Sequence, residues 1–273
     1  MPDVISPANA RGAQKLPWTL AAPSCVLPAA VAENCTFLAP CFDEIALAFF
    51  ETEACLAYTG ADLPPELAQL PVSWHVHLPL DLPWDDGSEC GSECGAEYGV
   101  DGVARAVLGL VQKVAFLAPG AFVLHPPREP QALAALAGLL AAGGLQPQAL
   151  LVENIAGRDL ARLWPVIEAL DLGVCLDLGH MLVHGQEDFL DLPGLGRRTR
   201  MLHLNAPDPQ KPARHASLSQ LSAHGRAVMA RLLETLAPGG VVVLELFNQH
   251  ALADSLDCLH AAVAAGQKLE APA

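Results

Sequence analysis

The chain has 273 residues, 52% of them hydrophobic, with a mean hydropathy of +0.32 and a formal net charge of −15. A helical membrane span needs about 20 consecutive apolar residues; the longest candidates, 133–145 and 114–124, are shorter and broken by Gly or Pro, so the apolar content is assigned to a large core and no membrane association is expected. Thirty acidic against 15 basic residues, with no basic stripe, also exclude a surface that tracks a duplex, so nucleic acid is not expected as a partner.

The first 22 residues carry Pro2, Pro7 and Pro17, and lack the basic start and apolar stretch of an export signal. They are read as an arm before a single barrel domain at 23–265, with a tail at 266–273. A cytoplasmic location is expected, with the eight cysteines as reduced thiols. Cys90 and Cys94, in the repeat GSECGSECG, form only a weak C-x₃-C signal.

From residue 24 onward, short β-type runs alternate with Ala/Leu-rich helical stretches. The runs are SCVLP (24–28), EIALAFFE (44–51), VSWHVHLP (72–79), AFVLHPP (121–127), ALLVENI (149–155), LGVCLDLGH (172–180), RMLHLNAP (200–207) and VVVLELFN (241–248). Helices are expected over 103–117, 131–142, 160–170 and 226–236. Alternation of this kind implies a parallel sheet with helical crossovers, and near-continuous apolar strands imply burial on both faces. Eight units in about 250 residues predict one α/β domain, a (β/α)₈ TIM barrel of eight parallel strands with its active site at the C-terminal strand ends. An open doubly wound sheet is the competing fold, and no G-x-G-x-x-G follows the first strand.

Six consecutive strands each end in an imidazole or carboxylate: His77, His125, Glu153, Asp177, His203 and Glu245. In a barrel these ends meet at one mouth. A single histidine in an apolar strand reads as a hydrogen-bonded core residue, and a single acidic residue at a strand end as a helix cap. Six in register are better explained by a shared metal site, because buried carboxylates are costly unless paired, protonated or bound to a cation. His180 follows Asp177 by three residues and His215 follows the seventh strand, so both are added. His75 is placed on the opposite face of its strand from His77 and left out; His184, His224, His250 and His260 are read as surface residues. The long stretch from Asp81 to Gly99, with Trp84, Asp85 and Asp86, reads as a lid over the substrate.

The pieces HPP (His125), VENI (Glu153), CLDLGH (Asp177, His180), HLN (His203), RH (His215) and LEL (Glu245) resemble the xylose-isomerase-like TIM-barrel superfamily over about 24–260, and within it the AP-endonuclease-type metal enzymes. The resemblance implies one metal on His77 and His125, bridged by Glu153 to a second that Asp177, His203 and Glu245 complete. A third would need a D-x-H pair where this chain has Ala213-Arg214-His215; Ala213 cannot ligate, so that site depends on Asp208 as a substitute. SWHVHLPLDLPW with AFVLHPP looks, more narrowly, like the cobamide-remodelling phosphodiesterases.

A mixed His/carboxylate set suits Zn²⁺ or Mn²⁺ better than ions that prefer all-oxygen shells. The leading expectation is hydrolysis of a small-molecule phosphodiester, the nucleotide loop of a corrinoid. Glu153, Asp177 and Glu245 would be the catalytic carboxylates, and Trp84, Lys211 and Arg214 would contact substrate. The alternative is a metal-dependent sugar isomerase or epimerase of the same fold, in which Glu153 and Glu245 flank a sugar and pass a proton. The count of histidines favours the hydrolase in this reading. AP endonuclease activity is opposed by the net charge, and a metal- or corrinoid-binding protein without turnover is the non-enzymatic reading.

Overall fold

The computed structural model describes residue 5 and residues 16–84, 99–212, 214–236 and 239–270. Eight parallel strands close into a barrel: β1 (Thr19–Pro23), β2 (Glu44–Ala48), β3 (Ser73–His77), β4 (Phe122–Leu124), β5 (Leu150–Glu153), β6 (Gly173–Asp177), β7 (Thr199–Leu204) and β10 (Val241–Leu244). The order around the barrel is β1-β10-β7-β6-β5-β4-β3-β2, so each strand pairs with its neighbours in sequence and β10 returns to β1. Two short strands, β8 (Ala206–Pro207) and β9 (His215–Ala216), form an antiparallel hairpin between β7 and β10.

Helices α1 (Val31–Leu38), α2 (Thr52–Ala57), α3 (Gly99–Lys113), α4 (Pro130–Ala142), α5 (Leu160–Ala169), α6 (Leu178–His184), α7 (Leu195–Arg198), α8 (Ala223–Thr235) and α9 (Gln249–Glu270) fill the crossovers. Their starts follow local chemistry. Asp159 and Ser222 cap α5 and α8 through side-chain oxygens that accept from Ala161 N and Gly225 N. Pro130 stands at the first position of α4, where its missing N–H costs nothing. No helix among the described residues is long and apolar enough to cross a membrane.

The core has two shells. Ala21, Ala46, Val123, Leu151, Cys175, Met201 and Val243 fill the barrel lumen, while larger side chains such as Phe42, Ile45, Leu110 and Leu136 pack between strands and helices. Each fully buried Val, Leu or Phe contributes roughly 1.5–3 kcal/mol. Above the lumen shell, the inward positions turn polar, and the site begins there.

Two expectations are corrected. The first strand is Thr19–Pro23, not SCVLP. Alanine is a poor strand former, but tertiary context decides: Ala21 is small enough to line the lumen between β10 and β2. The residues beyond it become a loop, with Ser24 N donating to Ala46 O at 2.8 Å and Ser24 Oγ accepting from Ala48 N at 3.1 Å. His75 shares the face of His77, because residues two apart on a strand point the same way. It is fully buried, and its Nδ1 bonds Glu44 Oε1 at 2.6 Å at the floor of the barrel, leaving Nε2 without a protein partner.

Candidate metal centre

The strand register sets the site. Glu153 ends β5 opposite Cys175 of β6, and Asp177 ends β6 opposite His203 of β7. His77 closes β3 opposite Ala48, whose small side chain leaves the mouth open. Glu245 follows β10 directly, its N–H donating to Leu204 O at 3.2 Å. His125 follows β4 in the same way. The cluster is buried: His77 and Glu245 are 8% exposed, and Glu153, Asp177 and His203 are at or below 1%.

Glu153 is its hub. Its Oε2 lies 3.2 Å from His77 Nε2 and 3.1 Å from His125 Nε2, and its Oε1 lies 2.8 Å from His203 Nδ1. Glu245 approaches the same imidazoles, with Oε1 at 3.9 Å from His77 Nε2 and Oε2 at 3.4 Å from His203 Nδ1. The Nδ1–H of His77 donates to Leu78 O at 2.9 Å, which orients the ring with Nε2 toward the carboxylates. Asp177 caps α6 by accepting from His180 N at 2.6 Å. Its other oxygen accepts from Asn205 Nδ2 at 2.7 Å, and Asn154 holds its backbone from both sides.

The charges respond to this crowding. Burial works against ionised Glu153, but His203, His125 and His77 outweigh it and hold the carboxyl well below its ordinary 4.5. Glu245 is likewise lowered, by His203 and His215 against burial. His203 and His77 are raised above 6.5: burial opposes their charge, but Cys175, Glu245 and Glu153 around His203, and Glu153 and Glu245 around His77, prevail. Asp177 is raised by burial, with Glu245 and Glu153 adding to it.

These residues fit a divalent metal. Glu153, Asp177, His203 and Glu245 each offer a donor atom, all within 4.8 Å of one another, and His77, His125 and Glu153 form a second such set that shares Glu153. A cation there would take over from His77 and His203 in offsetting the buried Glu153 and Glu245 carboxylates. Mixed nitrogen and oxygen donors suit a first-row transition ion better than one that prefers all-oxygen shells.

A cavity of about 480 Å³ opens above the cluster, floored by His77, Glu153 and Glu245 and walled by Phe50, Leu80 and Phe247. His125, His180, Arg214 and His215 also line it, and Arg214 is the one Lys or Arg among the described residues that do so. The His180 ring lies 6.3 Å from His125 and 6.2 Å from His215, so it borders the cavity without joining either donor set. The β8–β9 hairpin brings His215 over the mouth: its Nδ1–H donates to Glu245 O at 3.0 Å, and its ring stacks on Phe247 at 5.1 Å. Asp208 accepts from Gln210 N and Lys211 N through Oδ1 at 2.8 and 3.2 Å and belongs to neither donor set.

Two expected substrate contacts lie elsewhere. Trp84 lines a separate cavity with Val100, Arg128 and Arg158, and Lys211 is exposed outside the one above the cluster. Cys90, Cys94, Asp85 and Asp86 lie outside the described residues. The sequence reading missed Cys175, the two asparagines and Gly179. Strand parity signals Cys175, two residues before Asp177 and so facing the same way. Asn154 directly follows Glu153, and Asn205 lies two residues after His203, both at strand ends. Gly179 follows from close approach, since a Cβ there would sit 1.9 Å from Asn205 Oδ1.

No protein-family model matches the chain, and a search of curated proteins finds no match. Solved structures share the fold. A D-tagatose 3-epimerase-like protein superposes with a TM-score of 0.70 at 16% identity, covering 93% of this chain and 100% of the other. The IolI protein with a bound zinc atom gives 0.65 at 11%, covering 90% and 98%. A D-allulose 3-epimerase from Methylomonas sp. in complex with D-allulose gives 0.61 at 11%, covering 89% and 96%. At these identities the likeness shows the barrel architecture. It also corrects the leading expectation: the neighbours include D-tagatose-, D-allulose- and L-ribulose-type epimerases and a probable dehydratase, so corrinoid phosphodiester hydrolysis gives way to the alternative of a sugar isomerase or epimerase.

Proposed function

We propose that the chain is a metal-dependent epimerase or isomerase of small polyhydroxylated carbonyl compounds of the ketose class. One observation carries the reading: two buried carboxylates, Glu153 and Glu245, bracket His77 and His203 and both line the cavity. Inversion at a carbon beside a carbonyl needs one group to remove its proton and a second to return one to the other face. The neighbours' names point the same way.

The Glu153, Asp177, His203 and Glu245 set would hold the ion, and His77, His125 and Glu153 would hold a second if two bind. When bound, a divalent ion lowers the energy of negative charge developing on a carbonyl oxygen. The residues do the rest. One glutamate takes the C–H proton as the electron pair moves toward the carbonyl oxygen, and the other returns a proton, so no water is consumed. His215, held by Glu245 O and Phe247, and His180 border the cavity within reach of substrate hydroxyls. Phe50, Leu80 and Phe247 exclude water from the reacting carbon. With Arg214 the one Lys or Arg in the lining among the described residues, the cavity suits an uncharged sugar better than a phosphoester.

The test is incubation of zinc- or manganese-loaded protein with ketopentoses and ketohexoses in D₂O, followed by NMR. We expect deuterium at the carbon next to the carbonyl, with appearance of an epimer or isomer, and loss of both in Glu153→Gln and Glu245→Gln. A metal-verified sample that exchanges no proton on any of these ketoses overturns the reading.

A further inference from the structure

Beneath the mouth of the barrel a thiol faces the metal ligands, and nothing in the proposed chemistry uses it. Cys175 is fully buried in the lumen shell and carries no disulfide. It is the register partner of Glu153 on one side and of Met201 on the other, one step below the Asp177–His203 pair. Its Sγ, a Glu153 oxygen and a His203 nitrogen all lie within 4.8 Å of one another.

We propose that Glu153, Cys175 and His203 form a second, deeper seat for a thiophilic metal ion. The seat shares Glu153 and His203 with the mouth set but replaces the Asp177 and Glu245 oxygens with sulfur. Thiolate ligands select soft ions, whereas carboxylate-rich sets suit harder ones such as Mn²⁺. The two levels therefore sort ions: Mn²⁺ stays at the mouth among three carboxylates, and Cd²⁺ or Zn²⁺ is drawn one step down. Forming the sulfur–metal bond releases the thiol proton to solvent, with no change of oxidation state. Because a neutral imidazole has one lone pair to give, an ion in the deep seat takes His203 from the mouth set, and the two seats compete for it. The barrel interior thus carries a built-in antagonism between thiophilic and harder ions, independent of which substrate the mouth accepts.

Cd²⁺ is the probe, because a cadmium–thiolate bond absorbs in the ultraviolet and oxygen or nitrogen ligation does not. The parent is the full chain with Cys90 and Cys94 changed to serine, which removes the other closely spaced thiols. Titration of the metal-free parent should produce the sulfur-to-cadmium band with the first equivalent. Pre-bound Mn²⁺ should be released as the band grows, read as the free-ion signal by electron paramagnetic resonance. In Cys175→Ser and Cys175→Ala, the band should vanish, Cd²⁺ affinity should fall by about 10–100-fold, and bound Mn²⁺ should be retained. An unchanged band in both variants overturns the proposal, as does a parent that binds Cd²⁺ by equilibrium dialysis and shows no band. Circular dichroism checks that the variants fold; the parent titration alone still decides against the seat if no band appears.

Discussion

Replacing Gly179 with alanine adds one methyl group to the second residue of α6, and the structure predicts an effect on metal binding out of proportion to that change. The new Cβ would stand 1.9 Å from Asn205 Oδ1 and 2.9 Å from its Cγ, so Asn205 must move. Its Nδ2 donates the 2.7 Å bond to Asp177 Oδ2, and both groups are buried. A hydrogen bond to a charged group contributes about 1.5–3 kcal/mol, and overpacking a tight interior costs about 1–3 kcal/mol. With the two partly overlapping, we expect about 2–4 kcal/mol of destabilisation, which at this size is a fall in Tm of roughly 4–16 °C. Loss of a group that orients a ligand weakens metal binding by about 10–100-fold. Calorimetric titration with Zn²⁺ and thermal unfolding with and without metal measure both. Asn205→Ala should reproduce the affinity loss, and Gly179→Ala added to it should cost little more, because the clash is already gone. A Gly179→Ala protein with wild-type metal affinity, or fully additive effects in the double variant, would refute the argument.

Proton linkage gives a second prediction. In metal-free protein, the raised values of His77 and His203 contribute stability that is complete below their unfolded 6.5 and lost as pH rises through their folded values. The lowered values of Glu153 and Glu245 contribute stability present above 4.5 and lost as pH falls through theirs. Metal-free protein should thus melt highest between about pH 4.5 and 6.5. Metal binding should release protons and tighten as pH rises above 6.5, as calorimetry in buffers of different ionisation enthalpy would show; pH-independent affinity over that range contradicts the charge assignment. A third concerns the barrel floor. Glu44→Ala leaves His75, already without a partner at Nε2, alone in the lumen, and should cost about 3–5 kcal/mol by chemical denaturation. The double change Glu44→Leu with His75→Leu should recover most of it; equal losses in the two would mean that the pair does not act as a unit.

Sequence alone determined the architecture and the imidazoles and carboxylates that meet at one mouth. The alternation of apolar runs with helix-forming stretches specifies parallel strands buried on both faces, and the barrel follows from their number. Imidazoles and carboxylates at six successive strand ends were legible because closure brings such ends together whatever their separation in the chain. What a linear reading could not carry was distance. The first strand, Ala-rich and weak in propensity, is a strand because two neighbours supply its hydrogen bonds and Ala21 packs into the lumen shell beside Val243. His75 was misplaced by an error of parity, but its pairing with Glu44 across strands is set by register. Trp84 and Lys211 follow the right strands and still miss the cavity, because loop paths depend on packing. The chemistry divides the same way. Residue types point to a metal centre, while the placement of Glu153 and Glu245 on either side of two imidazoles, under apolar walls with one arginine among the described residues, is a property of the folded mouth, and the proposed proton transfer rests on that placement.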